Sequence, residues 1–288
     1  MANKVDDLKT DKDVEKFINS LDGSFKGKII VKSTDEVLKR LYCKLDTQNL
    51  GIKNWDKSDF NNDGLSDLLV IGFFEDLEII YVAIDQGNNN FKLIPIKGDL
   101  FSGCNIVESI KVNNQFFLLH HTNMDNTFGS KKTFETDTLT YKFYGFIELN
   151  TEPLTIGIQS IKVETTRCFG TCPVFSIVIN QKGKAIYTAG QFSKKIGVFE
   201  TYVESEKLKE IYDVIHYINP LKLKDKYNLD VTDLPSVTLE ITFTNGTTKK
   251  IIDYGESGTF GLSKVYALMF ALRDNQNWTK ATPFSFNH

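Results

Sequence analysis

The chain has 288 residues, of which 41% are hydrophobic and 25% are charged, and its formal net charge is −3. This profile excludes a disordered chain and is typical of a globular protein long enough for two domains. The near-neutral charge, without a basic stripe, argues against a nucleic-acid partner, and no apolar run is long enough for a transmembrane segment. The first residues show no signal segment, but a trimmed chain would begin in the same way, so localisation stays open from this end.

The first half is predicted to form helices followed by an antiparallel sheet. Residues 11–21 carry apolar side chains at helical spacing, with Thr10 as a typical N-cap and Asp13 at the third helical position. A second helix is predicted near residues 35–42. Runs rich in β-branched and aromatic residues predict strands over residues 68–74, 78–84, 91–96, 106–112, 116–120 and 139–149.

Before the first of these strands lies a loop with oxygen-bearing side chains at alternate positions. Asp59, Asn61, Asp63 and Asp67 supply side-chain oxygens, and Leu65 supplies a backbone carbonyl. Such a pattern can wrap a hard cation that prefers six to eight oxygen ligands, and adjacent carboxylates repel unless a positive charge neutralises them. We therefore expect a structural Ca²⁺ site at these five residues. An affinity of about 10⁻⁴ to 10⁻³ M would suit a staple outside the cytoplasm.

The loop differs from a helix-loop-helix calcium site. Val70 stands where an EF-hand supplies a bidentate glutamate, and it lies inside an apolar run that predicts a strand. A calcium loop that runs directly into a strand resembles the FG-GAP or VCBS-type repeat, here over residues 54–73. Because such propellers need several blades and the pattern occurs once in this sequence, the resemblance implies the loop alone. The alternative is a metal-free loop whose Asx-turns satisfy its own backbone.

The second half begins a new set of elements after residues 150–153, which predicts domains of residues 1–152 and 153–288. One helix is predicted with Ser205 as its N-cap, and a last helix over residues 262–273. Strands are predicted over residues 156–163, 174–179, 184–188, 197–203, 236–244 and 247–253. We expect the α+β class, with two domains that are each a mainly antiparallel sheet with a few packed helices.

A cysteine motif, Arg-Cys-Phe-Gly-Thr-Cys-Pro at residues 167–173, lies between two predicted strands. Its glycine permits a bend and its proline prevents a helix, so Cys168 and Cys172 can meet in a disulfide. The other interpretation is a reactive dithiol. In that case the charge of Arg167 favours a Cys168 thiolate, although the spacing and the antiparallel surroundings differ from those of thioredoxin-type motifs.

The same motif, followed by a strand, resembles a bacterial domain of unknown function with a CFGTCP signature. Tyr227, residues 232–235 and the pair Asp253-Tyr254 agree with it, so the resemblance covers residues 156–278. Members of that family are often envelope or lipid-anchored proteins. The resemblance therefore implies a periplasmic or envelope location and names no activity.

Other residues could pair or bind a metal. Cys43 and Cys104 both lie in the predicted first domain, either as two buried free thiols or as a second disulfide. His120 and His121, near Asp125, could suggest metal ligands. Adjacent residues of a strand point to opposite faces, however, so both imidazoles would not reach one ion.

No catalytic constellation emerges from the sequence, which favours a protein that is not an enzyme. We expect a calcium-stapled binding or interaction protein of the bacterial envelope whose partner is another protein. The alternative is a thiol-disulfide redox protein that uses Cys168 and Cys172 beside Arg167. Neither the partner's identity nor the oligomeric state follows from the sequence.

Overall fold

The computed structural model describes residues 3–40, 50–75, 77–97, 105–124 and 133–281. The chain divides into two compact units, Met1–Leu149 and Asn150–His288. In the described part of the chain, each unit combines two α-helices with mainly antiparallel strands. The predicted α+β class is therefore confirmed.

The first unit opens with helix α1 (Asp11–Leu21), which has the predicted bounds and N-cap. The Thr10 hydroxyl accepts a hydrogen bond from the Asp13 amide at 3.2 Å, and the Asp13 carboxylate accepts one from the Thr10 amide at 3.0 Å. This capping box satisfies two amides that the first helical turn leaves without partners. Helix α2 covers Thr34–Arg40, and the last residues predicted for it lie outside the described residues.

A four-stranded antiparallel sheet follows in chain order. Its strands are β1 (Trp55–Ser58), β2 (Asp67–Phe74), β3 (Leu77–Asp85) and β4 (Phe91–Ile96). Leu68 and Val70 of β2 belong to a core shared with α1, and Leu69 and Ile71 are buried on the opposite face. Because both faces of β2 are covered, its residues 68–74 include no polar side chain.

A second four-stranded antiparallel sheet completes the first unit. It comprises β5 (Asn105–Val112), β6 (Gln115–Met124), β7 (Thr133–Lys142) and β8 (Gly145–Glu148). The prediction of one strand over residues 139–149 is wrong, because the backbone reverses at Phe143 and Tyr144 and Lys142 pairs with Gly145. Two aromatic residues carry none of the usual turn signals, so the sequence pattern concealed this hairpin.

The second unit is built on an eight-stranded sheet in which only β13 and β15 pair in parallel among the described strands. The order across the sheet is β13-β15-β14-β9-β10-β11-β12-β16. The strands are β9 (Ile158–Thr165), β10 (Phe175–Asn180), β11 (Lys184–Ala189), β12 (Gly197–Tyr202), β13 (Lys226–Tyr227), β14 (Ser236–Phe243), β15 (Thr248–Tyr254) and β16 (Thr279–Lys280).

Two helices of the second unit, α3 (Ser205–Ile218) and α4 (Phe260–Asn275), lie against each other. Ser205 was predicted as the N-cap of α3, but it is the first helical residue, and Glu204 occupies the cap position without a side-chain hydrogen bond. The described helices include none with the length and apolarity that crossing a bilayer requires.

Candidate functional site

The predicted calcium loop connects β1 to β2 and folds around its own polar side chains. The Asp59 carboxylate accepts hydrogen bonds from the amides of Asp63 and Gly64, at 3.0 and 2.9 Å. Asn61 Oδ1 accepts from the Asp63 amide at 3.1 Å, and Asn61 Nδ2 donates to the Asp63 carboxylate at 2.8 Å. Gly64 has φ +87°, a conformation that glycine adopts without steric cost. Asp59, Asn61 and Asp63 therefore lie close together.

Asp67, the last predicted ligand, has a different environment. It is fully buried, and its two carboxylate oxygens accept hydrogen bonds from the amides of Phe60 and Asp85, each at 2.8 Å. Burial raises the pKa of Asp67 to about 7, and the negative charges of Asp63 and Asp59 add to that rise. Asp67 thus ties the base of the loop to the end of β3.

The predicted ligands carry oxygen atoms, which are the ligands that Ca²⁺ prefers. No three Asp, Glu, His or Cys side chains converge as metal ligands anywhere in the described ranges. The hydrogen bonds around the loop leave room for a cation, because an ionised carboxylate has about four lone-pair sites and each amide occupies one. Asp59, Asn61 and Asp63 lie at the more exposed side of the loop, and Asp67 has only its remaining lone pairs unoccupied, so calcium binding at these residues stays a prediction.

Phe60, the second residue of the loop, anchors it to the second sheet. Its side chain is 1% exposed and meets the ring of Phe116 at a centroid distance of 6.3 Å and that of Phe146 at 6.0 Å, both edge to face. Phe146 in turn packs edge to face on Tyr141 at 5.7 Å. The conformation of the loop is therefore coupled by packing to the hairpin formed by β7 and β8.

That hairpin ends in a strained turn. Phe143 and Tyr144 have φ of 54° and 60°, in the left-handed region that costs a residue other than glycine on the order of 1–3 kcal/mol. The neighbouring hairpin turns at Asn113 and Asn114, also with positive φ, but asparagine tolerates this conformation. Leu118 pairs with Leu139, so both turns lie at the same end of the sheet.

Two lysines contact the strained turn, and a third lies over a ring of the neighbouring hairpin. Lys92 donates to the Tyr144 carbonyl oxygen at 2.8 Å, and its Nζ lies 5.6 Å from the centroid of the Tyr144 ring. Lys142 lies over the Phe143 ring at 5.3 Å, and Lys111 lies over the Phe116 ring at 5.0 Å. Tyr144 is nevertheless 69% exposed. We call Phe143, Tyr144 and these lysines the aromatic tip.

A buried polar cluster in the second sheet was missed by sequence reasoning. Glu108 Oε1 lies 3.2 Å from His121 Nε2, and Glu108 Oε2 accepts from the Gly51 amide at 2.7 Å. His121 Nδ1 lies 2.8 Å from the Thr136 hydroxyl, whereas His120 points to the other face and reaches Asn105 at 2.6 Å. The histidines therefore do not share a site, and Asp125 lies outside the described residues. A carboxylate inside an apolar strand was the available signal for Glu108.

The cysteine loop connects β9 to β10. Cys168 and Cys172 lie at disulfide distance with their Cα atoms 5.7 Å apart, which supports the predicted bond. Arg167 is exposed beside Cys168, and Phe169 is 87% exposed at the apex. Cys43 and Cys104 lie outside the described residues, so neither the two free thiols nor the second disulfide is tested.

Comparison with known protein families gives a match that falls in the second unit. Residues 159–273 match the family model of a domain of unknown function, DUF6438. The matched segment contains the cysteine loop, α3 and all but the last two residues of α4. No curated protein and no solved structure matches the chain. The expectation that the second half contains a domain of unknown function is confirmed, and the CFGTCP and FG-GAP or VCBS-type resemblances stay predictions.

Proposed function

We propose that this protein is a non-catalytic, calcium-stapled binding protein of the bacterial envelope that recognises another protein through the aromatic tip. The observation that carries the proposal is the turn at Phe143 and Tyr144, where two aromatic residues occupy a conformation that asparagine or glycine would adopt at lower cost. Strained backbone conformations cluster at functional sites. Tyrosine is also enriched among the residues that contribute most of the binding energy at protein interfaces.

Calcium has a mechanical role in this proposal. Asp59, Asn61, Asp63, the Leu65 carbonyl and Asp67 would hold the ion, which would neutralise the crowded carboxylates and stiffen the loop. Phe60 packs on Phe116 and Phe146, so a stiffer loop would hold the hairpins that carry the aromatic tip. Ion binding and partner recognition would then be coupled through this aromatic contact.

Calorimetric titration of Ca²⁺ into chelator-stripped protein tests the staple. We expect one-site binding that Asp63→Ala abolishes and that Asp7→Ala, which removes an exposed carboxylate from the first residues, leaves unchanged. Absence of heat together with an unchanged melting temperature would reduce the loop to a self-capped turn and remove calcium from the proposed function.

Recognition is tested by immobilising the chain and incubating it with a bacterial envelope fraction. We expect that a protein retained by the wild-type chain is lost by the double variant Phe143→Asn, Tyr144→Gly, which keeps a favourable turn while removing both rings. Equal retention by the two chains would exclude the aromatic tip as the recognition surface.

A thiol-disulfide redox activity is the second candidate, and the exposure of the loop that holds Cys168 and Cys172 favours it. Cys168 as thiolate would attack a substrate disulfide, and Cys172 would resolve the mixed disulfide, so the dithiol is oxidised as the substrate is reduced. Intact mass after alkylation decides the point. A bond that resists mild reductant contradicts the redox candidate.

A further inference from the structure

Three exposed large apolar side chains of the second unit lie on two neighbouring loops. Phe169 is 87% exposed on the cysteine loop, and Ile196 and Phe192 are 79% and 53% exposed on the loop between β11 and β12. Exposed apolar groups scattered singly need no explanation, but a group of them at one place indicates a binding surface.

Strand register and hydrogen bonds place the two loops together. Phe175 at the start of β10 pairs with Ala189 at the end of β11, and Ala189 pairs with Gly197 at the start of β12, so both loops leave the same end of the sheet. The Val174 amide donates to the Gln191 carbonyl oxygen at 2.9 Å, and the Gly190 amide donates to the Val174 carbonyl oxygen at 2.8 Å.

The apolar tips are held in their exposed positions. The Phe169 amide donates to the Asp233 carbonyl oxygen at 3.0 Å, and the bond between Cys168 and Cys172 closes the loop around that phenylalanine. Phe192 has φ 59°, a costly conformation for an aromatic residue. An exposed aromatic ring gains little from packing and here also carries a backbone cost, which favours a binding role for Phe192.

Basic residues stand next to each apolar tip. Arg167 precedes Phe169 by two positions, and Lys194 and Lys195 come directly before Ile196. Lys194 pairs with Asp274 at 2.6 Å, whereas Lys195 lies over the Phe199 ring at 5.8 Å and Arg167 is exposed. Apolar side chains flanked by cations match the boundary of an anionic bilayer, where rings enter the acyl region and cations meet phosphates.

We propose that the second unit docks on an anionic lipid bilayer through these loops, with Phe169, Phe192 and Ile196 inserted and Arg167 and Lys195 at the headgroups. This surface is distinct from the aromatic tip, which belongs to the first unit. Docking through it requires no calcium.

Vesicle sedimentation with the full chain, in chelator, tests the proposal. We expect binding to vesicles of phosphatidylcholine and phosphatidylglycerol at a 3:1 ratio, and little binding to phosphatidylcholine alone. The double variant Phe169→Ser, Ile196→Ser should lower the association constant about tenfold or more, and Lys195→Gln about fivefold on the anionic vesicles.

The matched control is Tyr202→Ser, which removes a 69% exposed aromatic side chain from the other end of β12 and should leave binding unchanged. Failure of the wild-type chain to bind anionic vesicles overturns the proposal, as does equal binding by the double variant. Binding that appears only when calcium is added would assign the attachment to the first unit and also overturn it. Because the assay is run in chelator, its result does not depend on whether the first unit binds calcium.

Discussion

The ring of Phe60 meets the ring of Phe146 edge to face at a centroid distance of 6.0 Å. This contact joins the calcium-type loop of the first sheet to the β7–β8 hairpin of the second sheet, and Phe60 is 1% exposed there. The base of the loop is therefore part of the packed interior of the first unit, whereas residues 62–64 are exposed.

Replacing Phe60 by alanine should lower the unfolding free energy of the first unit by about 3–5 kcal/mol, because the substitution removes a buried ring and leaves a cavity. The chain has two tryptophans, so urea unfolding can be followed through Trp55 in a Trp278→Phe background. Phe169→Ala, at an exposed position, is the control and should stay within about 0.5 kcal/mol of the parent. A similarly small change for Phe60→Ala would show that the loop is not packed as described.

The double variant Phe143→Asn, Tyr144→Gly should raise the stability of the first unit by about 1–2 kcal/mol, because asparagine and glycine adopt positive φ with less strain than aromatic residues. The reciprocal change at the neighbouring turn, Asn113→Phe with Asn114→Tyr, should lower stability by a comparable amount. The unfolding free energy of both double variants is measured by urea unfolding followed through Trp55. If the first variant is less stable than the parent, the aromatic rings contribute packing that outweighs their backbone strain.

His120 predicts a pH dependence of stability. Burial, with a smaller contribution from His121, lowers the pKa of His120 to about 4 from its ordinary value near 6.5. Between those values the unfolded chain binds a proton that the folded chain does not, so stability falls as pH drops from about 6.5 to 4, by about 3 kcal/mol in total. Below about pH 4 both states are protonated and this contribution levels off.

The measurement is the difference in unfolding free energy between the wild-type chain and His120→Gln across that pH range, because carboxylates shared by both chains cancel. The difference should change with pH between about 4 and 6.5 and be constant above. A constant difference throughout would mean that His120 titrates alike in the folded and unfolded states.

Removing the disulfide through Cys168→Ser, Cys172→Ser should lower the stability of the second unit by about 2 kcal/mol, since a short closed loop restricts the unfolded chain only modestly. Unfolding can be followed through Trp278 in a Trp55→Phe background. In strong reductant, the unfolding free energy of the parent chain should fall to that of the variant. Equal stability of the oxidised parent and the variant would contradict a stabilising bond.

The sequence predicted an element correctly where the residues that specify it lie within a few positions of that element. The capping box of Thr10 and Asp13 marked the start of α1, and the apolar run after Asp67 marked β2. For α3, Ser205 lies one position inside the helix because Glu204 takes the cap position without a side-chain bond. The short strands β1, β13 and β16 carry little apolar pattern and exist through their pairing with longer strands, so they were not predicted.

The sequence by itself determined the α+β class, most of the longer strands, the oxygen-rich loop and the cysteine pair, because periodicity, capping and spacing are properties of neighbouring residues. Only the tertiary structure decided that Phe60 ties the loop to the second sheet, that Phe143 and Tyr144 form a strained turn, and that Glu108 meets His121. It also placed Phe169 and Ile196 at one end of the second unit's sheet. These contacts join residues that are distant in the chain, or they hold residues in a conformation that local preference disfavours. They form only when the strands pack, so neighbouring residues do not reveal them.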